Sequence, residues 1–270
     1  MTLMSNAEFT ARFIAALRSL DEEDHEYTFG IHTGHTGKPR ASSLGGCGRK
    51  QLYAMKGTAK TEILDPPWAP MMGYAGETIA RQVLIRMGYS VQTMMLPDNL
   101  PFSGHIDDQL SGLDLEVPTL WDNKVRGAYG MRMLVTKGLP QADTEMYLQM
   151  QAYMLALGLK QCMLTIEPHD LSMMKRELKS YKFDMESPLV HRIVIQADKA
   201  AQDVAMARAT ELAGAAALDL MVRREYNNQK TTFPCGWCDW RTQCILDDEG
   251  DQVVLTPMPP ECTDTVDLEG

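Results

Sequence analysis

Two short stretches carry residue types that could do chemistry together. Gly104-His105-Ile106-Asp107 supplies one carboxylate, and Asp122-Asn123-Lys124 supplies a second carboxylate two residues from an ammonium. Apolar and polar residues alternate from Phe102 to Leu110 about Ile106, and Pro118 to Trp121 is an apolar run, so each stretch has a strand reading. Side chains alternate across a strand, which puts Asp122 and Lys124 on one face and Asn123, like Asp108, on the other. Two acids and a lysine converging from adjacent strands suit metal-dependent phosphodiester hydrolysis. The acids hold a hard divalent cation, the cation activates water and neutralises developing charge, and the lysine positions the nucleophile or supports the transition state. A D/E-x-K triplet alone is a weak signal, and its surroundings decide its weight.

The helices on either side carry further polar candidates. Met71 to Gly88 reads as a helix with Met72, Ile79, Val83, Leu84 and Met87 on one face and Gly88 as its stop. Glu77 falls close to that face, seven residues before Leu84, and is either a third metal-facing carboxylate or a solvated glutamate. Gln149 and Tyr153 stack four apart on a later helix, where they either line a substrate groove or are ordinary buried-edge residues. His105 shares the Asp107 face by its two-residue spacing, and hydrogen bonding within the sheet is the favoured reading.

Cys235, Cys238 and Cys244 place three thiols within ten residues, among Pro234, Gly236, Trp237 and Trp240. Such spacing can wrap a tetrahedral metal or three corners of an iron–sulfur cube, with a fourth ligand from elsewhere. Cys47, in a Gly-rich basic turn, is the natural fourth, whereas Cys162 in an apolar strand and Cys262 near the end fit worse. Spacing does not choose between cluster and zinc, since both accept four thiolates.

The elements that must position these groups follow from pattern. Residues 7–20 form an amphipathic helix, residues 25–40 a polar loop, and a short helix begins near Cys47. Thr61 to Pro70, with three prolines, is a linker. Strands are predicted at about 89–96, 101–110 and 118–124, helices at about 127–137 and from Ala142 to Leu157, a buried strand at 160–167 and another at 175–184. A long helix follows over about 187–225, with alanines at 200–217. This order gives an α/β domain with a mixed central sheet. The expected organisation is an N-terminal helix and loop over 1–46, the main domain over 47–244, and an acidic, disordered tail over 245–270.

Composition is that of a globular chain of 270 residues, 44% hydrophobic and 23% charged. No apolar run reaches the roughly 18 residues of a membrane span, and no signal-peptide core is visible, so a cytoplasmic protein without a membrane partner is expected. In that setting six cysteines read as metal ligands or buried thiols rather than as a disulfide framework. The net charge of −10 argues mildly against nucleic acid. Much of the acid sits at the ends, however, while Lys38, Arg40, Arg49, Lys50, Arg126, Arg132 and Lys137 lie near the motifs, and a phosphate groove needs only a local basic stripe.

Taken in order, these residues resemble the RecB-type branch of the PD-(D/E)xK nuclease superfamily, and within it the four-cysteine nucleases of CRISPR loci and their phage-borne relatives. The resemblance runs through Cys47 with Arg49 and Tyr53, Gly73 to Glu77, Gly104 to Asp107, Asp122 to Lys124, Gln149 to Tyr153, and Cys235, Cys238 and Cys244, covering about 47–244. Glu77 stands where the CRISPR-associated members usually have histidine, Asp122 where glutamate is commoner, and Asn123 where an apolar residue is usual. The resemblance implies a restriction-endonuclease-like core and a DNA nuclease, most simply an exonuclease on single strands or DNA ends, with possible endonuclease activity on single strands. It implies Mg²⁺ or Mn²⁺ at Glu77, Asp107 and Asp122, with Lys124 as the catalytic lysine, Gln149 and Tyr153 holding the DNA or the active-site helix, and Arg49 toward the substrate. It also implies a 4Fe-4S cluster on Cys47, Cys235, Cys238 and Cys244, joining the N- and C-terminal segments. The competing reading is a non-catalytic DNA-binding adaptor that keeps the fold.

Overall fold

β3 (Leu115–Arg126) is the spine of the structure, a computed structural model describing residues 3–18, 37–61, 68–168, 190–223, 225, 235, 238–247 and 252–259. Leu120, Trp121, Asp122 and Asn123 are all buried, as expected of a central strand covered on both faces. β2 (Asp108–Gly112) pairs with it antiparallel and β1 (Ser90–Gln92) pairs antiparallel with β2. On the other side β4 (Gln161–Pro168) runs parallel to β3, and β5 (His191–Gln196) closes the edge antiparallel. The result is a five-stranded mixed sheet in the order β1-β2-β3-β4-β5.

The parallel step from β3 to β4 needs a crossover. Three helices make it: α4 (Ala128–Lys137), α5 (Leu139–Ala142) and α6 (Thr144–Leu157). Sequence pattern runs the last two together from Ala142, but Asp143 breaks them. Its backbone leaves the helical region (φ −153°), and its carboxylate caps α6 by accepting from Met146 N at 3.0 Å. α6 and α7 (Lys199–Ala217) cover one face of the sheet, packing Met150, Tyr153, Ala205 and Ala209 against Leu120, Cys162, Leu164 and Ile166. α1 (Asn6–Arg18) and α3 (Trp68–Met87) cover the other, packing Phe9, Phe13, Val83 and Leu84 against Leu110, Trp121 and Met163. A short helix, α2 (Gly48–Met55), follows Cys47 as the sequence predicts.

Several expectations are corrected. α3 starts at Trp68, inside the predicted linker, with Pro70 in its first turn, where a missing N–H is harmless. The strand predicted over 101–110 begins only at Asp108; the chain from Gly104 to Asp107 approaches the sheet without joining it. The long helix predicted over 187–225 is β5 followed by α7. The β-branched run Ile193-Val194-Ile195 sets the strand, and Asp198 caps the new helix by accepting from Ala200 N and Ala201 N. Residues 252–259, assigned to a disordered tail, dock instead. β7 (Gln252–Val253) pairs in parallel with β6 (Met221–Val222), Leu255 is buried, and Thr256 N donates to Glu211 Oε2 at 2.7 Å. The strand predicted at 175–184 lies outside the described residues, as does Cys262. Among the described residues no helix is long and apolar enough to cross a membrane.

Candidate active site

Asp122 and Lys124 come off β3 on the α6 face, and the Lys124 ammonium forms an ion pair with Asp122 Oδ2. Asp107 arrives from the adjacent chain. Asp108 pairs with Trp121, so Asp107 lies one residue beyond the ladder, level with Asp122. There its Oδ2 accepts the Asn123 backbone N–H at 2.8 Å. Asp108 takes the opposite face, as alternation requires, and accepts from Arg81 Nε at 2.7 Å and Thr93 Oγ1 at 3.1 Å.

Glu77 joins from α3, and Gly76 is what admits it. A Cβ on Gly76 would stand 2.8 Å from Val125 Cγ2 and 3.4 Å from Asn123 Nδ2, so only glycine lets the helix backbone lie this close to β3. Gly73, which pattern singles out, has open space where a Cβ would go. Asn123 then ties helix to strand. With its amide oriented to satisfy both ends, the NH₂ donates to Thr165 Oγ1 (2.6 Å) and Thr165 O (3.1 Å), and the oxygen accepts from Glu77 N at 3.3 Å. Thr165 Oγ1 also accepts from Trp121 Nε1 at 2.9 Å. A polar residue on this buried face is therefore satisfied, and it links the segments carrying Glu77, Asp107 and Asp122.

The electrostatics are those of crowded acids. Burial raises the Glu77 carboxyl above the ordinary glutamate range and the Asp122 charge raises it further, with Lys124 opposing. Asp107 is raised well above the usual aspartate range, first by burial and then by Asp122, with Lys124 and the Asn123 N–H opposing. Burial alone would lower the Lys124 ammonium; Asp122 and Asp107 more than reverse that and raise it. Three acids thus face one lysine, an imbalance that a cation bound among oxygen donors would relieve.

Gln149 and Tyr153 are brought to the same place from α6, but inside it. Gln149 Nε2 donates to Tyr153 Oη at 3.3 Å, both side chains are buried, and burial pushes the Tyr153 phenol up to about 12. A Cβ on Gly104 would stand 2.8 Å from Tyr153 Cε1 and overlap the hydroxyl, so the glycine of the Gly-x-x-Asp stretch is where the chain passes over the tyrosine ring. His105 is exposed on that passage, outside the strands. Arg49, read as a substrate contact, is fully buried. Its Nε donates to Val222 O at 2.8 Å, and its Nη1 donates to Cys244 O at 3.1 Å and Asp247 O at 3.4 Å, making it a tie between the two ends of the chain. Glu167, which pattern passes over, lies half-buried beside Gly76. Its Oε1 accepts no hydrogen bond among the described residues, and burial pushes its carboxyl up to about 7.

At the far end of α2, the Cys47, Cys238 and Cys244 thiols lie within electrostatic range of one another, and burial pushes the Cys47 thiol up to about 12. Cys238 N donates to Cys235 O at 3.3 Å, and Arg49 Nη1 lies 3.8 Å from Cys244 Sγ. The described cysteines carry no disulfide. Among the described residues no three His, Cys, Asp or Glu side chains stand ready-made around a metal position, at the acids or at the thiols.

No family profile and no curated protein matches this sequence. Among solved structures, the chain is similar to an alkaline exonuclease from Laribacter hongkongensis in complex with dAMP, at 16% identity and a TM-score of 0.48, over 68% of this chain and 90% of that one. It is similar to a phage-related exonuclease from Haemophilus somnus at 15% identity and a TM-score of 0.45, over 66% and 92%. A third structure, SSO0001, is 14% identical with a TM-score of 0.45, over 88% and 96%.

Proposed function

We propose that this chain is a divalent-metal-dependent deoxyribonuclease acting on single-stranded DNA or DNA ends. The observation that supports this reading is that Glu77, Asp107 and Asp122, from three separate segments, come within electrostatic range of one another and of Lys124. Their oxygen-only donor set and excess negative charge fit Mg²⁺ or Mn²⁺. When bound, such an ion supplies water activation and neutralises charge on the phosphate. Lys124, held as an ammonium by Asp122 and Asp107, can donate to a phosphate oxygen or orient the attacking water. Asn123 holds Glu77 and Asp107 through its amide oxygen and backbone N–H. Gln149 and Tyr153 brace the Gly104–Asp107 passage from beneath rather than touching the DNA.

The proposal extends to Cys47, Cys235, Cys238 and Cys244 as the ligands of a 4Fe-4S cluster, with zinc as the alternative. The Cys47, Cys238 and Cys244 thiols, within electrostatic range of one another, and a guanidinium beside Cys244 Sγ suit either centre.

The test is digestion of end-labelled single-stranded and duplex DNA, linear and circular, with Mg²⁺, Mn²⁺ or EDTA. Metal-dependent loss of linear DNA is expected, with Lys124→Ala at least a thousandfold slower, a loss of about 4 kcal/mol of transition-state stabilisation. Equal cleavage by Lys124→Ala would remove the site assignment. No cleavage with any metal by folded protein that binds DNA would leave the adaptor reading.

A further inference from the structure

The twenty residues 123–142 contain no Asp or Glu and carry Lys124, Arg126, Arg132 and Lys137, in a chain that holds 36 acidic and 26 basic residues overall. This stretch is the end of β3, all of α4 and α5, and it begins beside Lys124. α4 buries Ala128, Met131 and Leu134 against the core. On its outer side Tyr129 is 60% exposed, with the Arg132 guanidinium 5.4 Å from its ring centroid. That contact steadies the ring by a cation–π interaction while leaving aromatic surface open to water. Of the two glycines that flank Tyr129 in sequence, a Cβ on Gly127 would meet nothing within 4 Å, and Gly130 faces the stem of Arg126.

Tyr129 is five residues beyond Lys124, and a fully extended chain of that length spans at most about 17 Å. Part of the path is helical, so the two Cα atoms are nearer than that. Asp122 and Asp143 flank the stretch, paired to Lys124 and to Arg126 (Nη2–Oδ2 2.8 Å), and a single ring steadied by a guanidinium on this basic stretch matches the way single strands are held, by stacking of bases and attraction of phosphates. A protein partner would call for a wider apolar patch around the ring.

We infer that Tyr129 and Arg132 form a stacking platform for a nucleobase of a single strand whose phosphate lies at the Glu77–Asp107–Asp122–Lys124 site. This rests on the nuclease reading and adds to it the form of substrate and the direction in which the strand leaves the site, along α4.

The test is the binding of fluorescein-labelled oligo(dT), and of an abasic oligomer of equal length, to full-length Lys124→Ala protein in Mg²⁺, read by anisotropy. Adding Tyr129→Ala should weaken oligo(dT) binding about tenfold, within the range of one stacked base, and leave the abasic oligomer's affinity unchanged. Tyr129→Trp should retain oligo(dT) binding, with its indole fluorescence quenched by the DNA. Oligo(dT) affinity unaltered by Tyr129→Ala would overturn the platform and leave the nuclease reading standing. Failure of the parent protein to bind either oligomer would overturn both. A change in solution mass on Tyr129→Ala, with DNA affinity intact, would instead make this face a contact between copies of the chain and overturn the inference. Tyr129 is exposed, so matching melting curves would show that the variant is folded.

Discussion

Asn123 sits in the middle of an acid–lysine triplet on a face that pattern reserves for apolar residues, and its hydrogen bonds account for it. The same logic of burial and satisfaction singles out Glu167, whose Oε1 is shut off from water and accepts no hydrogen bond among the described residues. Its folded-state pKa of about 7 stands above the ordinary 4.5, so the folded protein binds more protons than the unfolded chain between those values. Stability is then highest below about 4.5, falls as pH rises through about 7, and is flat beyond. Glu167→Gln cannot ionise, and it should gain relative to the parent by up to about 3 kcal/mol at pH 8 and by much less at pH 5, measured by urea unfolding at both values. A difference that does not change with pH would mean that Glu167 is ionised in the fold. The acid and lysine pair on β3 was legible in the sequence because period-two alternation fixes the face of each residue. Glu167 was not, because on β4 it reads as an ordinary strand-end glutamate, and its isolation depends on where α3 packs.

Elements bring the site together through close approaches that sequence pattern registers only as glycines. Gly73 and Gly76 lie one turn apart on α3, yet only Gly76 has a neighbour in the way. Alanine is the better helix former by about 1 kcal/mol, so Gly73→Ala, with open space around it, should stabilise the protein by about 0.5–1 kcal/mol. Gly76→Ala gains the same propensity but sets a methyl 2.8 Å from a β-branched side chain that cannot swing away. Overpacking of this kind costs about 1–3 kcal/mol, and the helix can relieve it only by drawing Glu77 off β3. Gly76→Ala should therefore melt lower than the parent and lose cleavage, while Gly73→Ala melts higher and keeps it; thermal unfolding and digestion of both variants decide the matter. If both variants stabilise, α3 does not press on β3. Pattern succeeded where an element has one clear face, as in α1 and α4, or is apolar on both, as in β4. It failed at β5, because the alanine-rich run behind the strand extends a helical reading backwards across it, and at residues 252–259, because acidic neighbours conceal a short apolar segment that docks.

At the scale of the whole molecule, the ends of the chain are held beside one another by buried arginines. Arg208 Nε donates to Leu44 O at 2.8 Å, Nη1 to Thr256 O at 2.8 Å, and Nη2 to Gly46 O at 3.1 Å and Glu225 Oε1 at 2.8 Å. Gly48 N donates to Glu225 Oε2 at 2.7 Å, and Arg49 reaches Val222, Cys244 and Asp247. Tyr53 Oη donates to Asp247 Oδ2 at 3.0 Å, and Trp240 Nε1 donates to Thr58 O at 2.9 Å. These ties run between the segments that carry Cys47, Cys238 and Cys244, so their contribution and that of the proposed thiol centre can be tested separately by mutation. Arg208→Met removes a buried cation and leaves carbonyls and the Glu225 carboxylate without their donor, a loss of about 3–5 kcal/mol, with metal content per folded molecule unchanged. Cys238→Ser keeps every one of these hydrogen-bonded ties and removes one thiolate. On the proposed four-thiolate centre it should lower the iron or zinc content and the melting temperature, while circular dichroism stays that of a folded chain and the proposed cleavage of linear DNA persists in part. Elemental analysis and absorbance near ~400 nm on the purified parent separate the two metals, because thiolate-to-iron charge transfer colours a cluster and zinc has no such band. Full metal content in Cys238→Ser would mean that this thiol is not a ligand. Complete unfolding of Cys238→Ser, with Arg208→Met milder than expected, would show that the metal holds the ends of the chain and that the arginines only follow it.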